Sequence, residues 1–191
     1  ALQITNGFAN PFISHFTEVP EFAHTWGARN ANALISISQM SEVIGILFIP
    51  AALRLLGIKK VLLIAMFAWV LRFGLFGAGD TGSGVWMLIL SMIVYGVAFD
   101  FFNISGAIYT NMRTSEKLQN SAQGLFMLMT NGIGATIGTL GAQAVINHFV
   151  YNAAEPNWSA AWYVFAAYAL VMAILFIIFF KEPKDPKAKI A

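Results

Sequence analysis

The sequence predicts an all-α membrane protein built as a bundle of six hydrophobic spans, and three observations predict it. Hydrophobic residues make up 58% of the 191 and charged residues only 10%, far from the soluble-protein averages of about 45–50% and about 25%. Nearly uncharged runs recur at the roughly 20-residue length that a helix needs to cross a bilayer. The lysines and arginines fall almost entirely on one side of those runs when the spans alternate. There is no cysteine, which excludes disulfide frameworks, zinc-thiolate clusters and thiol nucleophiles.

The elements follow in order. Ala1 to about Phe16 reads as the end of a first span, opening without an initiator Met, a basic leader or a helix cap. No cleavable signal peptide is visible, and the expectation is a truncated first helix whose upstream chain is missing. A polar loop from Thr17 to Arg29 carries Glu18, Pro20, Glu21, His24 and Trp26. The second span runs from about Asn32 to Leu56, with Pro50 a kink point near its end. Gly57-Ile-Lys-Lys60 is read as a tight basic turn, and the third span follows from Val61 to about Ala78. After the turn Asp80-Thr-Gly-Ser-Gly84, the fourth span runs from Val85 to Met112 with Asp100 its single charge. Arg113 to Lys117 leads into a fifth span, about Leu118 to Phe149, and Trp158 to Phe180 forms the last. Residues 1–180 are thus one six-helix bundle, and 181–191 a charged tail.

Orientation follows from the basic residues. Arg54, Lys59, Lys60, Arg113, Lys117, Lys181, Lys184, Lys187 and Lys189 share one side, against Arg29 alone in the opposite loops. That side, with the C-terminus, is expected to be cytoplasmic.

The functional signal is polarity at depth. Asp100 sits near the middle of its span, where an ionised carboxylate costs at least about 2.5–3.5 kcal/mol on insertion scales. Such a group requires a partner, a proton or a water-filled cavity. Gln3, Asn6 and Asn10 share one face of the first span, and Gln39 and Glu42 pair at i, i+3 on the second beside Ser38 and Ser41. On the fourth, Tyr95 and Phe99 make an i, i+4 aromatic pair followed by Asp100 and Asn103. Interhelical hydrogen bonding would explain the amides alone. Two carboxylates at depth point instead to a solvated substrate or ion site between helices.

The remaining features read structurally. Arg72 is expected to snorkel outward or pair with a carboxylate. Gly134-x-x-x-Gly138 reads as a close-packing face, with Gln123, Thr130 and Asn131 bordering the cavity. Trp69, Trp86, Trp158 and Trp162 read as interfacial anchors. His15, His24 and His148 have no metal-ligand spacing, so no metal is expected. No Walker A, nucleophile elbow or HExxH sequence is present, nor does anything point to nucleic acid.

At these residues the chain resembles a known family. Leu2-Gln-Ile-Thr-Asn6, Ser36-Ile-Ser-Gln-Met-Ser-Glu42, Trp69-Val-Leu-Arg-Phe73, Tyr95 to Gly106 and Ser121 to Met127 are similar to the bacterial nucleoside:proton symporters of the major facilitator superfamily. Gly57-Ile-Lys-Lys60 is a degenerate form of a general loop of that superfamily. The resemblance covers nearly the whole chain and implies the C-terminal half, helices seven to twelve, of a twelve-helix transporter with its site at mid-membrane between two halves. It implies nucleoside contacts at Gln3, Asn6, Gln39, Glu42, Tyr95 and Phe99, and matches Asp100 to the family's intramembrane aspartate. It further implies proton-coupled nucleoside uptake across the bacterial inner membrane, with protons as the coupling ion, Asp100 and Glu42 as candidate carriers, and no other cofactor. The partners implied are a nucleoside, the lipid bilayer and the N-terminal six-helix half. The residues themselves leave open a transporter for another small polar solute such as a sugar, or a non-transporting membrane scaffold.

Overall fold

The computed structural model describes residues 1–180; the tail expected at 181–191 lies outside the described residues. Six helical segments follow one another: α1 Leu2–His15, α2 Ala31–Leu56, α3 Ile58–Ala78, α4 Val85–Met112, α5 Glu116–Tyr151 and α6 Trp158–Phe179. There is no strand among the described residues. The five from α2 to α6 are long and apolar enough to cross a bilayer, whereas α1 has 14 residues. The segments coincide with the six expected spans, because long apolar runs must satisfy their backbone internally once water is absent.

The turns have local causes. Gly57 separates α2 from α3 at φ 77°, ψ 165°, a conformation that side chains resist. The break is this single residue; Ile58, Lys59 and Lys60 are already helical, so the expected four-residue basic turn is shorter than the sequence indicates. Asp80 starts α4 by accepting from the backbone N–H groups of Gly82 (2.7 Å) and Gly84 (2.9 Å), an Asx-type turn. Asn157 caps α6 through the Ala160 N–H at 2.9 Å. Within α5 the helix widens into π turns at Leu128–Ile133 and Asn147–Tyr151.

α3 and α4 pack along each other; α2 lies against α4 and α6 against α3. Two apolar clusters hold the bundle. One joins Phe12, Phe73, Phe76, Trp158, Trp162 and Phe165 of α1, α3 and α6, with the Trp162 ring 4.6 Å from Phe76 and 5.4 Å from Phe12. The other gathers Ile49, Leu53, Ile58, Val61, Leu62, Ala65 and Phe101 toward the Gly57 break. Three of the four expected tryptophan anchors are therefore core residues: Trp69, Trp158 and Trp162 are buried, and only Trp86 is exposed, at 59%. Position near a span end did not distinguish an inward ring from an outward one.

The close helix approach also differs from expectation. No atom of another element lies within 4 Å of a Cβ built on Gly134 or Gly138; the Gly134-x-x-x-Gly138 face is not a packing face among the described residues. The tight crossing is between α2 and α4. A Cβ on Gly45 would sit 3.1 Å from the Gly96 backbone, and one on Gly96 would collide with the Ser41 backbone. Ser41 exploits that proximity: its hydroxyl donates to the Ile93 carbonyl and accepts from the Gly96 N–H at 3.1 Å.

Gly96→Ala should accordingly destabilise the protein by about 1–3 kcal/mol, the scale of overpacking in a filled site. Gly74→Ala, where an added Cβ meets nothing within 4 Å, should leave stability unchanged or raise it by up to about 1 kcal/mol. Thermal unfolding of the two purified variants in detergent measures the contrast.

Candidate functional site

The α2–α4 crossing fixes the site. Ser41 is tied to the α4 backbone, so the next residue, Glu42, is delivered to the α4 face that carries Tyr95. The half-buried Glu42 carboxylate lies beside the Tyr95 phenol and within electrostatic reach of Arg72 and Asp100. Tyr95 and Phe99 are one turn apart and their rings are parallel, 1° between planes at 5.7 Å. Trp69 meets Tyr95 edge-on at 5.8 Å and 88°. Asp100 is 6% exposed, and its Oδ2 has no hydrogen-bond partner among the described residues. Two carboxylates, a phenol and a pair of stacked rings thus share one region of α2 and α4, with Tyr95 itself part of the first apolar cluster and Phe99 packed against it.

Beside it opens a cavity of about 320 Å³. Its walls are Ala1 and Leu2 of α1, Met66 and Trp69 of α3, Phe99, Phe102 and Asn103 of α4, a stretch of α5 from Met129 to Gly134, and Tyr168, Ala169 and Met172 of α6. Residues of the α5 π turn and Phe99 both belong to that lining. Apolar and aromatic walls with a few polar groups are the usual make-up of a small-molecule pocket. Much of the polar lining is spent locally, since Asn103 donates to the Phe99 carbonyl and Thr130 to the Phe126 carbonyl.

The expected site residues fall into two groups. Glu42, Tyr95, Phe99 and Asp100 come together. Gln3 is half-buried on α1, and Asn6 and Gln39 are exposed; none of the three hydrogen-bonds to that cluster among the described residues. Asn10 instead donates to Asn32 at 2.6 Å and joins α1 to α2. Of the α5 residues expected at the cavity, Thr130 and Asn131 line it. Gln123 does not, because its amide bonds to the Ala107 carbonyl and Asn111.

Arg72 departs most from expectation. It neither snorkels nor forms an ion pair among the described residues: it is 1% exposed and its guanidinium lies 4.6 Å from the Tyr95 ring centre and 4.9 Å from that of Phe76. Trp69, Arg72, Phe73 and Phe76 recur at i, i+3, i+4 and i+7 on α3, a spacing that marks one helix face. That was the available signal for Trp69 and Arg72 belonging to the site's surroundings.

A buried carboxylate with an unbonded oxygen holds the fold at a disadvantage, a cost that functional sites commonly retain. Asp100→Asn should raise the unfolding free energy by up to about 3 kcal/mol, the scale of the insertion cost of a central aspartate. Thermal melts at neutral pH read it; a fall in stability would mean that the carboxylate pairs structurally.

Comparison with known proteins finds relatives of this chain. A family model described as "Nucleoside H+ symporter" matches residues 1–185. The chain is 46% identical over 187 residues to the xanthosine permease of Escherichia coli, covering 97% of this chain and 44% of that protein. It is 45% identical to the nucleoside permease NupG of the same organism, over 94% of this chain and 43% of NupG. A solved structure of the nucleoside transporter NupG superposes with a TM-score of 0.89 at 43% identity, covering 96% of this chain and 45% of that one. The chain therefore spans somewhat under half the length of the relatives it matches.

Proposed function

Since the chain belongs to the nucleoside H+ symporter family, we propose that the whole protein takes up nucleosides with protons across the bacterial inner membrane by alternating access, and that this chain supplies half of its central site. The relatives are permeases, and the chain is a multi-pass membrane segment and not an enzyme. The other half of the site comes from a further six-helix bundle of the same transporter, in keeping with relatives more than twice as long. The C-terminus faces the cytoplasm. In support, Lys59 donates to the Phe180 carbonyl at 2.7 Å, so the basic Gly57 break and the end of α6 share one side.

The observation that carries the proposal is Asp100: a buried carboxylate with an unbonded oxygen, set next to two parallel aromatic rings. Helix glue would have its oxygens bonded. A group that alternately gains and loses a proton needs one free. Burial disfavours the charged form of any carboxylate, which couples proton uptake to closure of the site around it. Glu42 is the second candidate, and its position beside Tyr95 also suits a ligand contact. Phe99 lines the cavity and offers its ring to a flat base. Gln3 is half-buried and Asn6 and Gln39 are exposed, and the donors and acceptors of their amides suit a neutral, hydroxyl-rich ligand. Protons are the coupling ion in this scheme, and no other cofactor takes part.

Uptake of uridine and adenosine into proteoliposomes holding the full-length transporter, driven by an inside-alkaline pH gradient, tests the function; sugars should not compete. Asp100→Asn should abolish accumulation above equilibrium while retaining nucleoside counterflow. Continued pH-driven accumulation in that variant would remove Asp100 as the carrier. Glu42→Gln should raise KM about 10- to 100-fold, the scale of losing a hydrogen bond to a charged group, with coupling preserved if Glu42 is a ligand contact alone.

A further inference from the structure

Arg72 is the most enclosed charge among the described residues, at 1% exposure, and it does not line the cavity. Its fixed position comes from α4. Nη1 donates to the Ser91 carbonyl at 2.5 Å, and the Ser91 hydroxyl returns a bond to the Arg72 carbonyl at 3.1 Å. Both Nη atoms lie 3.9 Å from the Met92 sulfur, while Nε has no partner among the described residues. What surrounds the planar group is aromatic: the Phe76 ring at 4.9 Å and the Tyr95 ring at 4.6 Å. Cation–π attraction is strongest where the cation is desolvated, and a planar, permanently charged guanidinium combines it with directed hydrogen bonds as no apolar side chain does.

The consequence falls on Tyr95. Its ring is held by the guanidinium, by the edge of Trp69 and by the parallel ring of Phe99, and Glu42 lies beside its phenol. A hydrophobic residue at position 72 would fill the volume and leave that ring free to turn. We propose that Arg72 is a positioning residue of the substrate site: anchored on the Ser91 carbonyl, it clamps Tyr95 and thereby fixes the Phe99 ring stacked on it and the Glu42 carboxylate beside its phenol. The proposal rests on the nucleoside-transport function put forward above.

The test measures nucleoside uptake kinetics in the full-length transporter for Arg72→Met, Arg72→Lys and Phe76→Leu, with membrane protein levels and melting temperatures alongside. Arg72→Met should raise KM about tenfold, the scale of one desolvated cation–π contact, with kcat within about twofold. Arg72→Lys keeps the charge but loses the planar fork and should recover part of the KM. Phe76→Leu, which removes the other ring of the clamp, should shift KM in the same direction by less. KM within about twofold of wild type in properly folded Arg72→Met overturns the proposal. If that variant does not reach the membrane, unchanged KM in both Arg72→Lys and Phe76→Leu overturns it equally. Wild-type protein that neither binds nor transports nucleoside brings down the proposed function and the positioning role together, whereas wild-type uptake with insensitive KM removes the positioning role alone.

Discussion

The crossing of α2 and α4 through Gly45 and Gly96 is the constraint on which the rest depends. In a bilayer there is no hydrophobic force between helices to exploit, so association relies on close van der Waals fit and hydrogen bonds. Two glycines remove the side chains that would hold the backbones apart, and Ser41 then bonds directly to the α4 main chain. The residue after Ser41 is a glutamate, and the residue before Gly96 is a tyrosine. One crossing therefore sets both the helix spacing and the meeting of Glu42 with Tyr95.

From there the site is built along α4 in single turns. Tyr95 and Phe99 stack because they are four residues apart on one helix face, and Asp100 follows immediately into a position where one of its oxygens finds no bond. The two apolar clusters are filled with large rings and branched chains. They give α3, α4 and α6 a rigid interior against which the polar region is displayed. Rigid elements hold a recognition site more precisely than loops can. The cost is a charge left in a low-dielectric setting, which stability alone would not retain.

α5 is the contrasting element. Only a small part of it is buried, its glycines are not covered by neighbouring helices, and it widens into a π turn where it walls the cavity. π turns interrupt the regular ladder and frequently occur at functional sites. The same bundle thus combines a closely packed α3–α4 pair with a sparsely buried α5, and residues of all three line the cavity.

The sequence by itself determined the membrane class and the order of the helices, five of them long enough to cross a bilayer, because hydropathy and span length follow from the chain's own solvation and need no partner. It also determined which residue types were worth examining: Glu42, Tyr95, Phe99 and Asp100 were legible as polar or paired aromatic groups at depth, and the structure brings those four together. Tertiary structure alone decided which way equivalent residues face. Trp158 and Trp162 turned into the core while Trp86 stayed outside, and Gly45 and Gly96 made the close crossing that Gly134 and Gly138 did not. Arg72 found two rings and a carbonyl where a carboxylate or the surface had been expected. Gln3 stayed half-buried, and Asn6 and Gln39 stayed exposed. The physical reason is common to all of these: in a nearly all-apolar span every face looks alike to hydropathy, so helix rotation is set only by the shape and polarity of the neighbours it meets.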